Sequence, residues 1–359
     1  MEKYTVKGLP WGSEIGIKVD NCITSKEVMQ VAGLNFNVDK CELVAEMPFS
    51  LWGNNQITPI DEQNGNFSKD GKIYRHLPDA YATYRTDRNI PLGFVKSKYK
   101  VTQNIEAFNF FDEAIGVDRC EWRYAGCFGY GHKIFVTAEV KLDTFVDLKE
   151  GKKDPVKHYL VFTNSHDGSS SITVMFTPVR FFCLNCLNSG LSSADSYIRV
   201  RHTQSSAYKL EQGIELLKIS FEKAKEATEL YQSLYKLNMS DDEVIKYIID
   251  LNLNPIEKSI LRVYGDNINT YKRIIDRDNL TLEDTQISMR KANIIHEMYR
   301  YYHEGVEQNR IAGTAWGAYN AVTGYFSNVA NLDGEKRMDS LLYGNAQNIT
   351  QKAISLLCA

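Results

Sequence analysis

The sequence predicts an α+β protein: a central antiparallel β-meander flanked by helices, with an all-helical C-terminal third. Three observations predict it. Residues 121–177 hold the runs "EWRYAGCFGYGHKIFVTAEVKL", "KHYLVFTN" and "SSITVMFT", rich in β-formers and separated by Gly or Asp-Gly turns. Ahead of them, "NIEAFNFFDEAIG" puts apolar residues at 105, 108, 111 and 115, the spacing of one helix face. After Arg199 the period changes to helical and stays so to the C-terminus.

Taken in order, "TSKEVMQVAGLNFNV" opens with Thr24 and Glu27 at capping-box spacing, and Val28, Val31 and Ala32 form a short apolar stripe that Gly33 ends. "NFNVDKCELVAEM" then alternates like a strand, and "TPIDEQNGNFSKDGK" reads as a long loop or hairpin tip. "GFVKSKYKVTQ" alternates again. Pro178 suits the first turn of a helix that would run to about Gly190. Leu210, Ile214, Leu217, Phe221, Ala224, Thr228 and Tyr231 mark one side of a long amphipathic helix. Ser240 and Glu243 form a second capping box, and further helical patterns cover about 255–279, 282–304, 313–330 and 340–357. The expected organisation is an α+β core over 1–202 and a helical region over 203–359, packed on the core or extending it.

The 359 residues are 43% apolar with a formal net charge of −3, enough for a substantial core and against a wholly basic coat protein. Residues 1–12 lack the apolar centre of a signal peptide, and no apolar run approaches the roughly 20 residues that span a bilayer. Seven scattered cysteines fit reduced thiols, so a cytoplasmic protein without membrane contact is expected.

Four groups of residues invite a chemical reading. His166-Asp167 could serve a metal-dependent hydrolase, but such a site needs more His and Asp ligands at helical spacing. Asn164, Ser165, Asp167, Gly168 and Ser169 are equally the residues a hairpin loop demands, so the turn is the expected role, with His166 and Asp167 as loop contacts at most. Cys183 and Cys186, with Cys120 and Cys127, could suggest zinc; their apolar neighbours Phe182, Leu184 and Leu187 favour core thiols, and no metal or other cofactor is expected. No P-loop, nucleophile elbow or HExxH occurs.

The fourth group is cationic. In "YIRVRHT", Arg199 and Arg201 fall on one side of an extended segment, and between Ser165 and Leu210 four Lys or Arg stand against Asp167 and Asp195 alone. In "VKSKYK", Lys96, Lys98 and Lys100 would share one strand face. A solubilising edge strand would look the same. Two such stripes with Tyr99, Trp122, Tyr124, Phe128 and Tyr130 between them suit single-stranded nucleic acid, whose bases stack while cations neutralise phosphates.

The segments "GFVKSKYKVTQNIEAFNFFDE", "TNSHDGSSSITVMFTPVRFFCLN", "IRVRHT" and "GTAWGAYNAVTGY" resemble the phage/plasmid-like protein family, a domain of unknown function, over nearly the whole chain. That resemblance implies mobile DNA in a bacterial cytoplasm. The helix–meander–helix core with basic strand faces also resembles, in architecture, the Rad52-type single-strand annealing proteins. That likeness implies a ring of subunits holding single-stranded DNA in a basic groove without ATP. Lys96, Lys98, Lys100, Lys133, Arg180, Arg199 and Arg201 would then contact phosphates, and Tyr99 or Tyr130 would stack; the acidic overall charge is a departure. The expectation is therefore a non-enzymatic, homo-oligomeric protein that binds and anneals single-stranded DNA in recombination or replication of a phage or mobile element. A metal-dependent hydrolase or nuclease using His166 and Asp167, and a factor that binds a host defence or replication protein, are the alternatives.

Overall fold

The computed structural model of the protein describes residues 4, 7–9, 11–47, 66–69, 72–106, 108–109, 120–180, 183–184, 197–203, 224–263, 267–276 and 287–358. They form a mixed α+β fold with two antiparallel sheets and a helical C-terminal third.

Strand β1 (Ile17–Lys18) precedes helix α1 (Ser25–Val31), which begins at the expected capping box. The Glu27 N–H donates to the Thr24 hydroxyl, and the Glu27 carboxylate accepts from the Thr24 N–H. Gly33, at φ +65°, then turns the chain into β2 (Val38–Glu46). Strands β3 (Asn66–Lys69), β4 (Lys72–Arg85) and β5 (Ile90–Val95) complete a small sheet, in which β4 pairs β2 along one edge and β3 and β5 along the other.

The large sheet has seven strands: β1, β6 (Cys120–Phe128), β7 (Lys133–Asp147), β8 (Lys153–Ser165) and β9 (Ile172–Arg180) in that order, with β10 (Cys183–Leu184) and β11 (Tyr197–Val200) both on the free side of β9. Every residue of β9 is buried, as is every residue of β8 from His158 onward. Both faces are covered because successive side chains point opposite ways and each finds a partner layer. Phe162 meets Phe108 (ring centroids 6.4 Å apart), and Tyr159 meets Trp11 (5.5 Å).

The helices are α2 (224–236), α3 (Asp241–Asn252), α4 (Pro255–Val263), α5 (Ile268–Asp276), α6 (Met289–Glu304), α7 (Ala315–Gly324), α8 (Gly334–Leu342) and α9 (Asn345–Cys358). Ser240 and Glu243 cap α3 as expected. Helix α7 is buried on all sides: Trp316 lies 4.4 Å from the Tyr231 ring, and the indole N–H donates to Asp154 Oδ2 at 3.0 Å. The same carboxylate pairs with Arg180 Nε at 2.5 Å, while Arg180 Nη2 reaches the Glu307 carbonyl at 3.2 Å. The buried ion pair joins β8 to β9, and its bonds to Trp316 and the Glu307 carbonyl tie the sheet to the helical region. No helix among the described residues is long and apolar enough to cross a membrane.

Two expectations are corrected. Pro178 does not open a helix: β9 runs through it to Arg180, and Cys183–Leu184 folds back antiparallel onto Arg180 and Val179. The β-branched and aromatic run "ITVMF" carries strand geometry into the proline, and Asp154 holds Arg180 at the strand end. Residues 104–106 and 108–109 are helical as expected; Cys186 and the rest of the helix expected after Pro178 lie outside the described residues, as do 107 and 110–116 of the expected helix 104–116 and 206–223 of the long amphipathic one. Nor do Lys96, Lys98 and Lys100 share a strand face. β5 stops at Val95 and the chain turns, with the Tyr99 N–H donating to the Lys96 carbonyl at 3.0 Å and the Ser97 N–H to Asp79 Oδ1 at 2.8 Å.

Candidate nucleic-acid interface

The site begins with the β8–β9 hairpin loop. Asp167 organises it: Oδ1 accepts from Ser165 Oγ (2.5 Å), Ser169 Oγ (2.6 Å) and the Ser169 N–H (2.9 Å), while Gly168 takes φ +76°. Burial pushes the Asp167 pKa up, but these donors outweigh it and the carboxyl is held below its usual range. The loop lies flush on strand β5 because residue 93 is glycine. A Cβ there would stand 2.4 Å from the Asp167 Cα.

His166 points the other way, into the interior. Its Nε2 is 2.7 Å from Asn104 Oδ1, its N–H donates to the His132 carbonyl, and its carbonyl accepts from Thr83 Oγ1. Burial lowers its pKa to about 3, so the ring is neutral. His166 and Asp167 are neighbours in sequence that occupy two different environments: a sealed ring and a loop-capping carboxylate. The pair serves the turn. Among the described residues no group of three or more His, Cys, Asp or Glu is placed to share a metal.

Beside the loop opens a cleft of about 540 Å³, lined by Lys96 and Lys98 from the turn after β5 and by Arg201, just past β11. All three side chains are exposed, and none forms an ion pair with the described residues. Ser170 and Ser171 add hydroxyls that have no hydrogen-bond partner among the described residues. Asp79 stands nearby; hydrogen bonds from Ser97, then the charges of Lys96 and Lys98, hold its carboxyl below the usual range. The back of the cleft is made by Tyr99 and His202, whose rings stack at 4.6 Å. The Tyr99 hydroxyl donates to the Ser165 carbonyl at 2.7 Å, and desolvation raises its pKa. His202 is lowered to about 4 by burial and is neutral.

The expected site residues therefore divide. Lys96, Lys98 and Arg201 come together, with Tyr99 behind them as a structural ring rather than an open stacking face. Lys100 follows on the same turn, its N–H donating to the His202 carbonyl at 3.1 Å, but it does not line the cleft. Lys133 is drawn onto α8 by Asp339 (3.0 Å) and Glu335 (3.4 Å), which keep the ammonium charged against a burial that opposes it. Arg180 is 1% exposed and spent on Asp154. Arg199 lies over the Tyr343 ring at 5.9 Å, away from the cleft. Tyr130 is 60% exposed but sits in the β6–β7 turn, where its carbonyl accepts from Arg85.

One residue was missed. Phe94, on the rim of the cleft, is 59% exposed. The alternation around it was a usable signal: Val95 points into the core, so Phe94 on the opposite parity points out.

A family model described as a domain of unknown function, DUF932, matches residues 91–354, which include the whole cleft. No curated protein and no solved structure matches the chain.

Proposed function

Since the chain belongs to the DUF932 family, whose description carries no activity, we propose from the chemistry of the cleft that the protein binds single-stranded nucleic acid. The observation that carries this reading is the convergence of Lys96, Lys98 and Arg201, from two distant stretches of chain, on one cleft rimmed by the exposed ring of Phe94. Cations without acidic partners release counterions when they meet phosphates, and an aromatic face beside them gives a base somewhere to stack. The hydroxyls of Ser170 and Ser171 are donors for the same phosphate oxygens. The finer form of the proposal is a homo-oligomer that anneals single-stranded DNA in recombination or replication of a phage or mobile element. It rests on the resemblance to annealing proteins, since adjacent protomers would have to align their clefts into one groove.

The test is fluorescence polarisation with a labelled single strand at low salt. Binding by the wild type, weakened about tenfold or more in the Lys96→Ala/Lys98→Ala/Arg201→Ala variant and weakened also by Phe94→Ala, is expected. Absence of binding at low salt, or equal binding by the charge variant, overturns the reading. Stoichiometric capture of one host protein by a chain with no affinity for DNA would put protein docking in its place.

A further inference from the structure

A second pocket, of about 380 Å³, opens between α1 and the extended residues 34–37. Its walls are held firmly. Gln103 acts as a substitute strand residue for Val38: its Nε2 donates to the Val38 carbonyl at 2.8 Å and its Oε1 accepts the Val38 N–H at 3.0 Å. Asn104 Nδ2 donates to the Leu34 carbonyl at 2.8 Å. Phe36 is clamped between the Arg85 guanidinium, 3.8 Å from its ring centroid, and the His166 ring, whose centroid is 6.1 Å away. The floor is apolar, made by the buried side chains of Met29, Leu34 and Phe36.

The mouth is the opposite. Gln30, Asn35 and Asn37 are exposed at it, with Lys26, and none of the four side chains has a protein partner among the described residues. Three carboxamides supply paired donors and acceptors, and no carboxylate lines the pocket. An apolar floor, amide edges and one cation call for a flat heterocycle with apolar faces, hydrogen-bonding edges and an anionic substituent. The volume lies in the range of small-molecule sites. Asn and Gln are the side chains that pair bidentately with the N6/N7 edge of adenine.

The geometry points to a nucleotide-base site here, with a purine bound edge-on to Gln30, Asn35 and Asn37 and its phosphate facing Lys26. This site rests on the nucleic-acid reading of the cleft and deepens it. Lys98 lines the cleft and Asn104 the pocket; six residues of chain can separate their Cα atoms by at most about 22 Å. A single strand whose phosphates lie in the cleft is thus within reach of placing a nearby base in the pocket. Residues 26–37 precede the family-matched segment, so the base site would be a property of this chain's N-terminal part.

The experiment uses 2-aminopurine deoxynucleotide 5′-monophosphate, a fluorescent adenine analogue, with the full chain. Saturable binding is expected, weakened about tenfold or more by Gln30→Ala/Asn35→Ala and unchanged in Lys98→Ala/Arg201→Ala. Both Gln30 and Asn35 are exposed, so the fold tolerates their loss. No binding of the mononucleotide at millimolar concentration, or equal binding by the Gln30/Asn35 variant, overturns the base site. Binding lost instead in the Lys98/Arg201 variant also overturns it, because the base then lies in the cleft. An oligonucleotide with internal 2-aminopurine separates the sources. A response that disappears with Gln30→Ala/Asn35→Ala assigns the pocket to the bound strand; a response to the mononucleotide alone assigns it to free nucleotides. Failure of the cleft reading is separately visible as unchanged oligonucleotide affinity in the Lys98/Arg201 variant.

Discussion

Arg180 ends β9 and Arg201 follows directly on β11, the strand paired with β9, and their local sequences suggest the same role for both. Their fates are opposite. Arg180 ends β9 facing Asp154 and Trp316, is sealed from water and binds sheet to helices. Arg201 emerges past β11 beside Lys96 and Lys98 in a cleft whose described lining holds no acid, with Asp79 near the two lysines but in no ion pair with them. What separates them is the acid each meets through the fold. A cation that finds a buried carboxylate becomes structure, and one that finds only other cations remains available to a ligand.

The largest expected effect breaks the structural half of that contrast. Asp154→Ala removes the carboxylate that answers the buried Arg180 guanidinium, which costs about 3–5 kcal/mol. Urea unfolding followed by tryptophan fluorescence measures it, and Lys98→Ala or Arg201→Ala should stay within about 0.5 kcal/mol of wild type in the same assay.

Acid sharpens the comparison next. His158, His166 and His202 are lowered by burial to about 4, 3 and 4, so each is neutral when folded and takes a proton when unfolded. Stability is therefore full above the unfolded value of about 6.5 and falls as pH drops towards the folded values. Between pH 7 and 5.5 each ring costs about 1 kcal/mol, so the three together cost about 3–4 kcal/mol. Thermal unfolding across that interval checks it; a flat profile would show that the rings are hydrated or already protonated. His166 and His202 lie under the loop and cleft, so acid should loosen the site along with the fold.

Gly93→Ala comes third. The added methyl meets the Asp167 backbone, so the 165–171 loop must move away from β5, at about 1–3 kcal/mol. It should also lower single-strand affinity, because the displaced loop carries Ser170 and Ser171. Lys133→Ala should leave that affinity unchanged, since its charge is already answered by Asp339 and Glu335.

Much of the fold was legible because it rests on local chemistry. The capping boxes at Thr24 and Ser240 form as their spacing requires, and the β-branched alternation of residues 121–177 appears as β6 to β9. What was hidden depends on partners far along the chain. Nothing near Lys133 announces Asp339, which is 206 residues away, and nothing near Tyr99 announces the Ser165 carbonyl that buries it. The strand pattern of "VKSKYK" was a real alternation whose cause is a turn: Tyr99 is drawn inward by His202 while Lys96 and Lys98 stay out. In the candidate site the cations were visible in sequence, but their sorting was not. Phe94 was readable from parity.

The salt dependence of single-strand affinity tests the cleft most directly. Each phosphate neutralised contributes about −0.7 to the slope of log K against log salt, so three cations predict about −2 per protomer. Lys98→Ala/Arg201→Ala should reduce that slope to about −0.7 while Arg199→Ala leaves it alone. A slope near zero in the wild type, or the same slope in the double variant, would mean that Lys96, Lys98 and Arg201 hold no polyanion.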